Sequence, residues 1–321
     1  MSEVLTIENL EIKAKGKNGT VTILDNIFLS LKPGQTLGIV GESGCGKSIT
    51  ALSILGLLNK HISITGGRIS FRENVISTMK ERELKKIRGR EIGMIFQEPM
   101  TALNPLLSIG RQLAEPLRAH LKMSKREAYS QSIELLNDVG IKEAEKVLKC
   151  YPYELSGGMR QRVLIAIAIS CKPLLLIADE PTTALDVTVQ AQVLSIMKRL
   201  ITEKSMSLLL ISHDLGVISQ MCERVIVMYS GEIVEEDTTE NIINNPKHPY
   251  TKKLLLSAKE LVEGRSNLTI VNGSVPRPEE IISGCKFSAR CEESQSLCIN
   301  KRPPIALKLN GSGRVRCWQN Q

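Results

Sequence analysis

The chain has no long hydrophobic run, little aromatic content and no recognisable leader segment. Nowhere in its 321 residues is there a stretch near the roughly 20 apolar residues that span a bilayer. The longest candidates, 174–178 and 208–211, have the length of strands. The N-terminus lacks a basic segment followed by an apolar core, so an intracellular protein is expected. Aromatic residues make up 3% of the chain, too few for a base-stacking platform. The net charge is +8, but the lysines and arginines are scattered, with small groups only at 80–90 and 122–126. A solvated basic surface accounts for them, and nucleic acid is not an expected partner. Internal repeats and low-complexity tracts are also missing. With 42% apolar and 24% charged residues, the composition is that of a globular protein with a large core and a smaller second unit.

What is present starts at residues 41–48, Gly-Glu-Ser-Gly-Cys-Gly-Lys-Ser. The apolar run 36–40 precedes this octapeptide and the helix-compatible run 49–58 follows it. Strand, glycine-rich turn and helix start are the context in which G-x-x-x-x-G-K-[ST] binds phosphate. The turn gathers backbone N–H groups around one phosphate and the helix adds its positive end. Lys47 is expected on the β- and γ-phosphates, and the Ser48 hydroxyl on magnesium.

Other strand ends carry matching chemistry. Residues 174–180 form an apolar strand ending in Asp179 and Glu180; beside a phosphate loop the first acid holds magnesium and the second activates water. A further strand, 207–212, ends at His213, placed to contact a γ-phosphate. Gln97 follows Met94-Ile-Phe and precedes a proline-bounded segment suited to movement; its amide can reach magnesium. Residues 155–162, Leu-Ser-Gly-Gly-Met-Arg-Gln-Arg, open a second helix with paired glycines. One ATP has one triphosphate, already cradled by 41–48, so this second anion-binding terminus points to a partner's nucleotide across a dimer interface.

Elsewhere, 4–12 and 21–31 read as strands of an antiparallel layer with a turn at 15–19. From about 97 to 165 the pattern is helical. Ser124 and Glu127 form a capping box there, Tyr129, Ile133 and Leu136 share one face, and Gly140 ends that helix. A shift from apolar 254–256 to polar 259–267 marks a boundary near 257. Eight cysteines are unevenly placed. Cys45, Cys150, Cys171 and Cys222 are isolated, whereas Cys285, Cys291, Cys298 and Cys317 crowd together. In a reducing compartment such a group suggests metal before disulfides. Four thiolates suit an iron–sulfur cluster or tetrahedral zinc, and this spacing, without short C-x2-C steps, does not choose between them.

Taken together, the phosphate loop, Gln97, Leu-Ser-Gly-Gly at 155–158, Asp179-Glu180, the Ala184-Leu-Asp186 loop and His213 resemble the ATP-binding subunits of ABC transporters, in the family's order. The segments 96–105, 178–192 and 246–251 look like the oligopeptide/dipeptide/nickel importer branch, closest to its D-type subunit. The resemblance implies an α/β fold: a RecA-like P-loop core with an antiparallel β layer and a helical subdomain, plus a small cysteine-rich C-terminal extension. It places the nucleotide-binding domain at 1–256, with the helical subdomain at about 97–165, and the extension at 257–321.

It also implies ATP on Gly41, Glu42, Ser43, Gly44, Cys45, Gly46, Lys47, Ser48, Ile49 and Gln97, completed by Ser156, Gly157, Gly158 and Asp186. Magnesium would rest on Ser48, Gln97 and Asp179, with Glu180 as base and His213 as switch. Cys285, Cys291, Cys298 and Cys317 would hold a [4Fe-4S] cluster, with zinc as the alternative. The implied function is an ATPase that energises peptide import from the cytoplasmic face of the membrane. Its partners would be a second, F-type ATPase, two permease subunits and an extracytoplasmic solute-binding protein. A nickel-complex importer and a regulatory, non-transport ABC ATPase are the alternatives. The pattern departs from the family at one place: an aromatic residue usually stacks on adenine near position 14, and here the segment reads Ile12-Lys-Ala14.

Overall fold

The computed structural model of the chain describes residues 3–16, 19–183, 185–262, 273–280, 283–308 and 313–320. Ala184, read above with the Leu185-Asp186 loop, lies outside the described residues, as does part of the polar stretch 259–267. The residues group into two compact units, one built from Met1–Val4, Lys32–Gln35 and Thr78–Leu210, the other from Leu5–Leu31, Thr36–Ser77 and Ile211–Gln321.

The first unit holds most of the helices. Strand Ile92–Ile95 runs parallel to Leu175–Asp179, and Ser207 N–H donates to the Leu174 carbonyl at 2.9 Å to start the next strand, Ser207–Ser212. The strand 175–179 is buried along its whole length, as a parallel strand covered on both faces must be. Helix Gly157–Ile169 lies directly on the sheet: a Cβ at Gly93 would meet the Ala168 carbonyl oxygen at 2.3 Å. Helices Ile109–Leu121 and Lys125–Asp138 fill the expected helical stretch.

The second of these starts with the expected box. Glu127 N–H donates to Ser124 Oγ at 3.3 Å and Ser124 N–H donates to Glu127 Oε2 at 2.7 Å, satisfying two donors that a helix start leaves open. Its buried face differs from the expected one. Ala128, Ser132, Leu135 and Leu136 are buried, while Tyr129 is exposed. Ser132 is tolerated inside because its hydroxyl donates to the Ala128 carbonyl. Gly140, at φ +76°, takes the left-handed turn that ends the helix.

The second unit contains an antiparallel layer in the order Gly19–Leu31, Leu5–Gly16, Ile62–Phe71, Asn74–Val75. Leu5, Ile7, Leu10 and Ile12 point inward; the register slips between Ile7 and Leu10, where Asn9 sits at φ +48°. Alongside it, Thr36–Val40 runs parallel to Arg224–Tyr229, which pairs antiparallel with Glu232–Thr238. The short strands Arg314–Val315 and Ala306–Leu307 then extend that edge. The boundary expected near 257 falls inside a continuous helix, Pro249–Val262. Among the described residues, no helix is long and apolar enough to cross a membrane.

Candidate functional site

The phosphate loop leaves strand Thr36–Val40 and closes on helix Lys47–Ile54, which starts two residues earlier than the apolar run suggested. Gly46 caps that helix at φ +105°, and a Cβ there would meet Leu24 Cδ2 at 2.4 Å. A Cβ at Gly41 would meet the Met228 carbonyl oxygen at 2.3 Å. Both positions therefore need glycine for space, and Gly46 for backbone conformation as well. Gly231 N–H donates to the Cys45 carbonyl at 3.0 Å and ties the loop down. Ser43 and Gly44 are exposed, and Ser48 and Ile49 are half-buried. Lys47 folds over the loop: its ammonium donates to the carbonyls of Gly41 at 2.8 Å and Glu42 at 3.0 Å. An ammonium held there can move onto phosphate oxygens with little change of side-chain position.

Glu42 is held from outside the loop. Its N–H donates to Tyr250 Oη at 2.9 Å, and its carboxylate takes both prongs of Arg290, Nη1 to Oε2 at 2.8 Å and Nη2 to Oε1 at 3.1 Å. Sequence reasoning missed both partners. Neither belongs to the nucleotide motifs; the signals were the position of Arg290 beside Cys291 and of Tyr250 within the segment 246–251. A cleft of about 830 Å³ opens next to Gly44, bordered also by Gly16, Thr20, Thr22, Arg277 and Lys286; among the described residues no aromatic side chain lines it. Ala14 is correspondingly a plain strand position, paired with Val21 and Ile62.

In the other unit, Asp179 is buried at the end of its strand and Glu180 follows at φ +46°. A non-glycine residue in the left-handed region is a local strain of the kind that clusters at working sites. Gln97 Nε2 donates to Glu180 Oε2 at 3.1 Å, and Thr183 Oγ1 donates to the same oxygen at 2.9 Å. The two parallel strands thus bring Gln97 and Glu180 together, as their positions at strand ends implied. Thr183 was not singled out beforehand.

Ser156 caps helix Gly157–Ile169 by accepting from Met159 N–H at 3.3 Å. Gly157 is exposed and open, whereas a Cβ at Gly158 would meet Val189 Cγ1 at 2.7 Å. The first N–H groups of this helix have no intrahelical acceptor, which gives its exposed tip a partial positive charge. Asp186 caps the next helix, Val187–Glu203, through Val189 N–H. His213 is exposed immediately after strand Ser207–Ser212, and Asp214 caps the helix that follows.

Cys285, Cys291, Cys298 and Cys317 line one small cavity together with His248, Phe287, Pro303 and Trp318. Cys285 N–H donates to the Cys298 carbonyl at 2.7 Å, closing the turn. Burial pushes the Cys285 thiol up to about 11, with the neighbouring cysteines adding to it. Burial raises Cys291 and Cys317 in the same way. Among the described residues, however, no group of three or more His, Cys, Asp or Glu side chains is gathered so that it could hold a metal ion. His248 is fully buried, accepts from Tyr250 N–H at 3.1 Å, and is kept neutral by burial and by Lys252 and Arg316 nearby.

Comparison with known proteins agrees with these motifs. A family model for the ABC transporter matches residues 24–183, and one for the oligopeptide/dipeptide transporter C-terminal region matches 234–298. The chain is 47% identical to the oligopeptide transport ATP-binding protein AppD of Bacillus subtilis (strain 168), over 99% of this chain and 97% of that protein. Identity to the dipeptide transport ATP-binding protein DppD of the same organism is 44%, over 99% of this chain and 95% of that one. Among solved structures, the ATP-binding cassette MJ0796, dimeric and bound to ADP and Pi, matches with a TM-score of 0.67 and 30% identity, covering 73% of this chain and 98% of that one. With full-length similarity added to a complete set of motifs, the chain belongs to the ATP-binding subunits of ABC transporters, in the oligopeptide/dipeptide group.

Proposed function

We propose that this chain hydrolyses ATP to energise the import of peptides through a membrane complex. One observation supports the reading: two helices start at glycine-rich turns, at Lys47 and at Gly157, each suited to an anion, and one ATP could use only the first. In the proposed cycle Gly41–Ser48 and Ile49 hold the triphosphate, and Asp179, Ser48 and Gln97 hold magnesium. Glu180 orients the attacking water and His213 senses the γ-phosphate. Ser156, Gly157 and Gly158, with Asp186 behind them, complete the site on a partner ATPase. Catalysis is positioning and charge stabilisation, as in phosphoryl transfer generally. Binding closes the two ATPases and hydrolysis reopens them, which moves the permease between inward and outward states. The partners are a second, F-type ATPase, two permease subunits on whose cytoplasmic side this chain docks, and a solute-binding protein.

The residues after about 257 form the small cysteine-rich extension in this reading. Its four cysteines are suited to a [4Fe-4S] cluster, which binds thiolates at separate corners, and the support is that all four line a single cavity. Bound there, the cluster would supply a positive core that stabilises buried thiolates, a structural role.

Uptake of labelled di- and oligopeptides by cells carrying the wild-type or Glu180→Gln chain tests the transport reading. Import that stops in the variant supports it; unchanged peptide uptake with lost nickel uptake would transfer the assignment to a metal-complex importer.

A further inference from the structure

A carboxylate is an odd occupant of an anion-binding loop. Glu42 is the first variable residue of the loop, and its charge lies next to the place where a triphosphate must dock. Two residues far away in sequence deal with that charge. Arg290 is 7% exposed and grips both carboxylate oxygens, a two-pronged geometry that fixes direction as well as charge. Its Nη1 also donates to Tyr229 Oη at 3.3 Å, and its guanidinium stands over the Tyr229 ring. Tyr250 accepts the Glu42 N–H. Tyr229 meets Tyr250 and Phe287 edge to face, and those two rings meet at a tilt, so the contacts form one packed block. Arg290 itself ends the turn Ser288–Arg290, held by its N–H on the Phe287 carbonyl and followed at once by Cys291.

We propose that Arg290 is a positioning residue for ATP binding, neutralising Glu42 and turning its carboxylate away from the phosphate loop, so that the four-cysteine turn sets the loop's affinity for ATP. This rests on the reading that residues 41–48 hold the triphosphate. Without Arg290 the loop keeps its glycines and Lys47, but it carries an unpaired negative charge beside its ligand.

The test is equilibrium ATP binding and steady-state hydrolysis by the full-length chain in its complex. Arg290→Met, which keeps the stem packing, should raise the ATP Kd and KM by about tenfold, or ~1.4 kcal/mol, with kcat changed less than about twofold. Adding Glu42→Gln to that variant should restore most of the affinity, because the unpaired charge is gone; a merely structural role predicts no such rescue. Glu42→Gln alone, which leaves the Arg290 cation without its counter-charge beside the loop, should bind ATP more tightly than the wild type, and this arm stands even where Arg290→Met does not fold. Wild-type affinity in Arg290→Met, or binding in Glu42→Gln no tighter than wild type, overturns the proposal. Lys47→Ala separates the two readings: if it binds ATP normally, the loop assignment itself fails.

Discussion

The amide of Gln97 and the carboxylate of Glu180 are joined by a hydrogen bond of 3.1 Å. The bond links the segment entering the helical stretch to the residue proposed to activate water. Thr183 Oγ1 donates to the same Glu180 oxygen at 2.9 Å, so the carboxylate is held from two sides.

Replacing Glu180 by glutamine removes the proton acceptor while preserving shape. ATP turnover by the complex should fall by about 10²-fold or more, the scale of a lost general base, with ATP retained on the protein. Single-turnover measurement of bound nucleotide, before and after gel filtration, checks this. Retention of most of the activity would remove Glu180 from its role.

Gly158→Ala tests the exposed helix tip. The added Cβ meets Val189 Cγ1 at 2.7 Å, so the start of helix Gly157–Ile169 must shift away from Val187–Glu203. ATP binding at Lys47 should be unchanged, while hydrolysis in the assembled complex falls at least about tenfold, as small misplacements at catalytic sites do. A fluorescent-nucleotide titration beside a phosphate-release assay separates the two effects.

The phosphate loop, the acidic strand end and the capped helix starts were legible because each is local: a few neighbouring residues carry both the conformation and the chemistry. Ser124 and Glu127 show this, since the box forms from their spacing alone. The buried face of the same helix was not legible. Its choice of Ala128 and Ser132 over Tyr129 depends on what packs against it. Tyr250 and Arg290 were hidden for a related reason: their contacts to Glu42 span more than two hundred residues, and no period or motif encodes such a meeting.

Iron content tests the cysteine cavity. Anaerobically purified wild-type chain should carry about four irons, visible in its absorbance, and Cys298→Ser should lower that content and the thermal midpoint together. Cys298 is buried in the cavity, so its loss removes a packed group together with one of the four proposed ligands. Wild-type protein that binds no iron, with an unchanged melting midpoint in Cys298→Ser, would leave the four cysteines as ordinary packed thiols.

Lys308 anchors the end of the chain electrostatically. Its ammonium, 2% exposed, lies 2.8 Å from Glu235 Oε1 and 2.9 Å from Asp237 Oδ2. Removing one partner from a buried ionic group leaves charge without compensation, so Lys308→Met should cost about 3–5 kcal/mol at neutral pH. Burial alone would raise the Asp237 carboxyl. Hydrogen bonds from Asn241, Lys308 and Thr238 outweigh it and hold the group below the ordinary carboxylate range. Because the folded value is depressed, this stabilisation is complete above the unfolded value of about 3.9 and is lost as pH falls through the folded one. In Lys308→Met the burial remains without the cation, so Asp237 takes up its proton at higher pH than in the wild type. The gap between wild type and variant should consequently narrow as the pH is lowered from about 7 towards 4. Urea unfolding at both ends of that range measures it, and an equal gap at both would mean that Lys308 contributes packing alone.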